Sequence, residues 1–204
     1  AVMLDCEAER AADLARRLSL YRLRSKVVIE QRSADYVVVA VIGNEAGSAF
    51  QLKGEAGAAG AFAGGVVYRD PRLSAAGVRA ILPREGGEEA LRRMDFAEAS
   101  FAEYDAHRLS LGLPDGSRDM VVEKTILLEA GFDELNGVDW HKGCFLGQEL
   151  TARTKYRGLI KRRLLPVRFD GPAPAPGTPI HLDGRAVGVM RSAASGVGLA
   201  LLRL

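Results

Sequence analysis

The residues best suited to chemistry stand together in Lys142-Gly143-Cys144-Phe145-Leu146-Gly147-Gln148-Glu149. A cysteine reacts as its thiolate, and a nearby ammonium or a helix N-terminus lowers the thiol pKa. Lys142 supplies the ammonium. Gln148 and Glu149 read as the start of a helix over 148–155, whose first N–H groups lack an intrahelical acceptor. Gly137, Gly143 and Gly147 call for tight turns or close backbone approach. Cys144 is therefore a candidate reactive thiol or soft metal ligand, tuned by Lys142. The competing reading is a small apolar side chain packed in a glycine-rich turn. Cys6, in a first helical turn, carries only that packing reading. His107, His141 and His181 stand at no metal-ligand spacing to one another or to the cysteines, so no complete zinc site is expected.

A basic run follows. Arg153, Lys155, Arg157, Lys161, Arg162, Arg163 and Arg168 fall within 150–169, and no acid interrupts them. Such a patch suits phosphate, a polyglutamate tail or an acidic partner. It equally suits a solvated strand face beside the acidic segment 88–105. Only Tyr156 interleaves as an aromatic, so stacking on single-stranded nucleic acid has little support.

The elements that must position these residues come from composition and pattern. The chain has 204 residues, 48% hydrophobic and 26% charged, which excludes wholesale disorder. No apolar run approaches the ~20 residues that span a bilayer, so no membrane-spanning protein is expected. Lys and Arg number 28 against 26 Asp and Glu, and a net charge of +2 does not imply a nucleic-acid partner. Two distant cysteines fit a reducing compartment rather than a disulfide framework. Residues 1–4 read as an apolar strand already under way, so a preceding segment is expected. Asp5 reads as a helix N-cap, with Leu14 and Leu18 on one face of the helix that follows. Residues 26–30, 36–42, 65–68 and 78–82 have strand composition. Residues 43–65 read as loop with one short strand. Leu91, Met94, Ala97, Phe101, Tyr104 and Arg108 follow helical spacing, predicting one long helix over 88–111 that ends at Gly112–Gly116. A short apolar helix or strand is expected near 126–128. Residues 159–169, 180–182, 185–190 and 197–202 read as strands, the middle two joined by a hairpin turn at Asp183-Gly184. The change of character near Gly158 predicts an α+β domain over 1–157 and a small β-barrel over 158–204.

The eight-residue core resembles the KGC-(aromatic)-x-GQE signature of the YgfZ family, folate-binding proteins that support iron–sulfur enzymes. Mitochondrial iron–sulfur assembly factors similar to them share this signature. The resemblance extends to Asn136-Gly137-Val138, to Leu150-Thr151-Ala152-Arg153-Thr154-Lys155 with Arg157-Gly158, to residues 21–27 and to Asp70-Pro71-Arg72. It covers most of the chain. The family is in turn similar to the glycine-cleavage T-protein, a folate-dependent aminomethyltransferase. Leu128-Glu129-Ala130-Gly131 looks like an element of that enzyme, as does Phe145-Leu146-Gly147.

The resemblance implies a T-protein-like α+β folate-binding fold followed by a C-terminal β-barrel, in the cytoplasm, or in the mitochondrial matrix of a eukaryote. It implies tetrahydrofolate or a derivative as cofactor, with Glu129 at the pterin edge and Tyr104 stacking on the ring. A carboxylate can accept two parallel N–H bonds from an aminopyrimidinone. Tyr104 reads equally well as a core aromatic. Gly143, Gly147, Gln148, Glu149 and Arg153 are assigned to the same ligand, with Cys144 and Lys142 as the catalytic pair. The T-protein's catalytic aspartate belongs to an N-terminal portion without a counterpart in these residues. The expected role is a folate-dependent accessory factor that works with iron–sulfur client or assembly proteins. A T-protein-type transferase is the alternative, and a docking module built on the basic run is the third reading.

Overall fold

The structure is a computed structural model. It describes residues 2–143, 145, 147–158 and 160–204, so Cys144 lies outside the described residues. The chain divides into two units, residues 1–70 with 77–98, and residues 71–76 with 99–204.

In the first unit a 3-10 turn over Ala8–Arg10 leads into α1 (Ala11–Tyr21). Asp5 is not its cap. The Asp5 carboxylate instead pairs with Arg79 and accepts from the Tyr68 hydroxyl at 3.2 Å. An Asp near a helix start favours capping only when no stronger donor reaches it, and a guanidinium is a stronger donor than an amide. Residues 2–4 form no strand, and Val2 and Leu4 are exposed. Cys6 is exposed as well, against the packing expectation. Leu14 and Leu18 are half-buried, and α1 buries no residue fully.

β1 (Tyr36–Val41), α2 (Ala46–Ala49), β2 (Ala59–Phe62), β3 (Gly65–Arg69) and β4 (Val78–Pro83) follow. The strands form one antiparallel sheet in the order β1-β4-β3-β2. Residues 26–30 have β-branched composition but form no strand, and Val27 and Val28 stay exposed. Composition favours a strand only where an edge is available to pair with.

α3 (Gly87–Arg92) ends well short of the expected 88–111 helix. Asp95 takes a positive φ of 59°, and Phe96 leaves the helical path to stack on Phe50 at 5.5 Å. Phe50 meets Phe62 edge-on at 5.1 Å, and this aromatic group packs beside a core of Val41, Val67, Val78, Ala80, Leu82 and Leu91.

The second unit opens with α4 (Phe101–Ser110). Ser100 caps it in a reciprocal box: its hydroxyl accepts from the Glu103 N–H at 3.2 Å, and its own N–H donates to the Glu103 carboxylate at 2.7 Å. That box, not a continuing helix, is what Ser100-x-x-Glu103 encodes. α5 (Gly116–Asp119) is one turn. Residues 126–130 are hydrogen-bonded turns rather than helix or strand, with the Glu129 and Ala130 N–H groups both donating to Ile126 O. α6 (Glu149–Tyr156) matches the expected helix.

Strands β5 (Arg162–Arg168), β6 (Pro179–Leu182), β7 (Arg185–Ala194) and β8 (Val197–Arg203) form an antiparallel sheet in the order β5-β8-β7-β6. Asp183 and Gly184 both take positive φ, 50° and 74°, as a tight hairpin of this hand demands. α4 packs on β7 and β8, and Leu109 meets Leu164 and Leu199 in the core. The fold is mixed α/β and ends in a β-rich unit.

Candidate functional site

The described residues around position 144 are organised by one amide. Gln148 Oε1 accepts from Lys142 Nζ at 2.9 Å and from the Phe145 N–H at 3.3 Å. The Gln148 N–H donates back to Phe145 O at 3.1 Å. The Lys142 ammonium also lies 4.6 Å from the centroid of the Phe145 ring, within the range of a cation–π contact. Lys142, Gly143, Gly147 and Gln148 thus share a hydrogen-bonded bend that brackets Cys144 in sequence.

Gly143 and Gly147 have φ of +88° and +87°, yet a Cβ at either would meet nothing within 4 Å. Conformation rather than space requires glycine there. Gly137 is the converse, because a Cβ on it would stand 2.6 Å from Phe132 Cδ1. Both meanings expected of the glycines occur, at different positions.

The bend is joined to its surroundings at Asp133. Trp140 Nε1 donates to Asp133 Oδ1 at 2.6 Å, and Lys155 on α6 pairs with the other oxygen. Hydrogen bonds from Lys155 and Trp140 hold the Asp133 carboxyl below the usual carboxylate range.

Glu129 is buried, with 6% of its surface exposed. Arg162 grips its carboxylate with two prongs, Nη2 at 3.0 Å and Nε at 3.3 Å. The Leu164 N–H donates to Glu129 O at 2.7 Å, so side chain and backbone both tie this residue to β5. Tyr104 is half-buried on α4, its ring 6.1 Å from that of Phe101. Glu149 and Arg153 are exposed on α6.

Below Tyr104, α4 is anchored by a buried charge network. Arg108 Nε donates to Asp105 Oδ1 and Nη1 to Asp119 Oδ2, each at 2.6 Å. Arg118 adds two bonds to Asp105 at 2.9 and 3.0 Å. Burial pulls the Asp105 carboxyl upward, and the bonds from Arg118 and Arg108 outweigh it, leaving it below the usual range.

Sequence reasoning named Arg162 only as part of the basic run, not as the partner of Glu129, and it missed Asp133 and this network. Within the basic run, Lys155, Arg162 and Arg163 pair with Asp133, Glu129 and Glu134. Three acids, Glu129, Asp133 and Glu134, fall within 129–134, upstream of the basic run. Among the described residues no group of acids, histidines and cysteines could hold a metal ion, and no helix is long and apolar enough to cross a membrane.

These features define a class: mixed α/β proteins closed by a C-terminal β-barrel-type domain, residues 161–204 matching the family model of the CAF17 C-terminal β-barrel domain. Over nearly its whole length the chain is similar to proteins named iron–sulfur cluster assembly factor IBA57, mitochondrial. It is 37% identical to the human protein over 207 residues, covering 98% of this chain and 56% of that protein. The Neurospora crassa homologue is 32% identical, covering 84% of this chain and 39% of that protein. The Dictyostelium discoideum homologue reaches 44% over half of this chain and a quarter of its own length. The chain therefore spans about half the length, or less, of these relatives.

Proposed function

We propose that this chain supports the assembly of iron–sulfur clusters on client proteins, with Cys144 as its working thiol and a reduced folate held at Glu129. The compartment is a reducing one, the mitochondrial matrix where the cell is eukaryotic. The observation that carries the reading is similarity along 98% of the chain to a human cluster assembly factor. The bend around position 144 is consistent with it. Gln148 holds the Lys142 ammonium at 2.9 Å, within a segment whose glycines adopt left-handed conformations that favour glycine. A fixed ammonium favours the thiolate form of a neighbouring cysteine. A single thiol cannot hold a cluster, so the remaining thiolates come from the partner or client.

A reduced folate at Glu129 would take the place that Arg162 now holds. This buried carboxylate accepts a planar two-pronged donor from Arg162. An aminopyrimidinone edge presents donors of the same kind. Tyr104 offers an aromatic face on α4. When bound, a reduced folate would supply one-carbon or redox chemistry. The chain's own part is to orient the pterin through Glu129 and to keep the thiol ionised through Lys142.

The test uses cells that lack their own copy of such a factor. Wild-type protein restores the activity of cluster-dependent enzymes, whereas Cys144→Ala folds and does not restore it. Full rescue by Cys144→Ala would reduce the thiol to packing. Calorimetric titration of tetrahydrofolate into the wild-type protein and into Glu129→Ala tests the ligand separately. Equal affinity of the two removes Glu129 from the pocket.

A further inference from the structure

Asp133 is the common acceptor of two groups that flank the Cys144 segment. One oxygen takes the Trp140 indole N–H at 2.6 Å, and the other takes the Lys155 ammonium. Trp140 stands where the glycine-rich bend begins, and Lys155 stands near the end of the helix that follows it. The legs also touch each other. The Lys155 ammonium lies 5.2 Å from the Trp140 ring centroid, and Tyr156 meets Trp140 edge-on at 6.2 Å. The acceptor itself is anchored. The Gly137 N–H donates to Phe132 O at 2.6 Å, and Asn136 Nδ2 donates to Pro71 O at 2.9 Å.

We propose that Asp133 is a positioning residue that clamps α6 to the start of the 140–148 segment and thereby sets the reactivity of the thiol that segment carries. This rests on the reading of Cys144 as a working thiol. Inside that segment, Lys142 and Gln148 are joined by one exposed hydrogen bond, and such a bond does little to order a chain by itself. Charge-assisted bonds are roughly twice as strong as neutral ones. Pinning both legs to one carboxylate removes much of the segment's freedom before Gln148 gathers Lys142 and Phe145. The requirement is specific to a carboxylate. An asparagine offers one acceptor oxygen, and its NH₂ would face either an ammonium or an indole N–H.

Trp140 is the chain's one tryptophan, so its emission reports on the site directly. The experiment uses the full chain with exposed Cys6 replaced by Ser, leaving one thiol to label. Emission of Trp140 and the pH profile of iodoacetamide alkylation at Cys144 are measured in this background and in Asp133→Asn, Lys155→Met and the double variant. Asp133→Asn is expected to shift the emission and to move the alkylation midpoint up toward the ordinary thiol value of about 8.5. Lys155→Met moves both in the same direction, and the double variant goes no further than Asp133→Asn alone. Unchanged emission and alkylation in Asp133→Asn would overturn the proposal. Should that variant fail to fold, Lys155→Met decides by the same two readouts. Failure of the thiol reading looks different: full cellular rescue by Cys144→Ala, whatever those measurements show.

Discussion

Glu129 and Arg162 are unequal partners: the glutamate side chain is 8% exposed and the arginine side chain 50%. Removing the outer member strands a buried carboxylate, whereas neutralising the inner one leaves a guanidinium that water can reach.

The asymmetry predicts opposite ranks for stability and charge loss. Arg162→Ala is expected to cost about 2 kcal/mol, below the full penalty for breaking a buried pair because half of the guanidinium is already in water. Glu129→Gln keeps the shape and one acceptor and should cost about 1 kcal/mol. Urea unfolding of both variants checks this. A larger loss for Glu129→Gln would contradict the account of the pair.

Two glycines should respond to alanine for different reasons. Gly143→Ala meets open space but must hold a left-handed backbone, a cost of about 1 kcal/mol. Gly137→Ala drives a Cβ to 2.6 Å from the Phe132 ring, so that ring or the local backbone must shift, costing about 1–3 kcal/mol. Thermal denaturation orders the two, and a Phe132→Leu background should relieve Gly137→Ala while leaving Gly143→Ala as it was.

The cap of α4 offers a local test. Ser100→Ala removes the acceptor for the Glu103 N–H and one arm of the reciprocal box. The expected loss is about 1 kcal/mol, and Ser100→Asp should retain most of the stability. Amide exchange in the first turn of α4 gives the measurement, with faster exchange confined to that turn in the alanine variant.

Acid should weaken the second unit through Asp105. Its native pKa lies below the ordinary value because Arg118 and Arg108 donate to it against the pull of burial. A lowered native pKa contributes stability that is fully present above the unfolded value of about 3.9 and is lost as the pH falls through the native value. Asp105→Asn should therefore flatten the acid limb of the stability profile in this range. A limb that keeps its slope in the variant would assign it to other carboxylates.

Local pattern determined a good part of this protein. The hairpin at Asp183-Gly184, the three strands after Pro179, the helix after Gln148 and the bend at Gly143 and Gly147 follow from residues a few positions apart. Turn geometry and strand alternation are short-range properties, so adjacent residues suffice to specify them. The stop at Asp95 and the restart at Ser100 were half legible, since the Ser100-Glu103 box is written in the sequence whereas the pull of Phe50 on Phe96 is not. Only tertiary structure decided that residues 26–30 would find no strand partner and that Asp5 would go to Arg79 rather than to a helix N-terminus. It alone chose which acids answer the basic run, bringing Glu129 to Arg162 and Asp133 to Lys155 and Trp140. Charge type says that such groups will pair. Which pairs form depends on which backbones the core brings within about 3 Å hydrogen-bond reach, and that is set by packing across the whole unit.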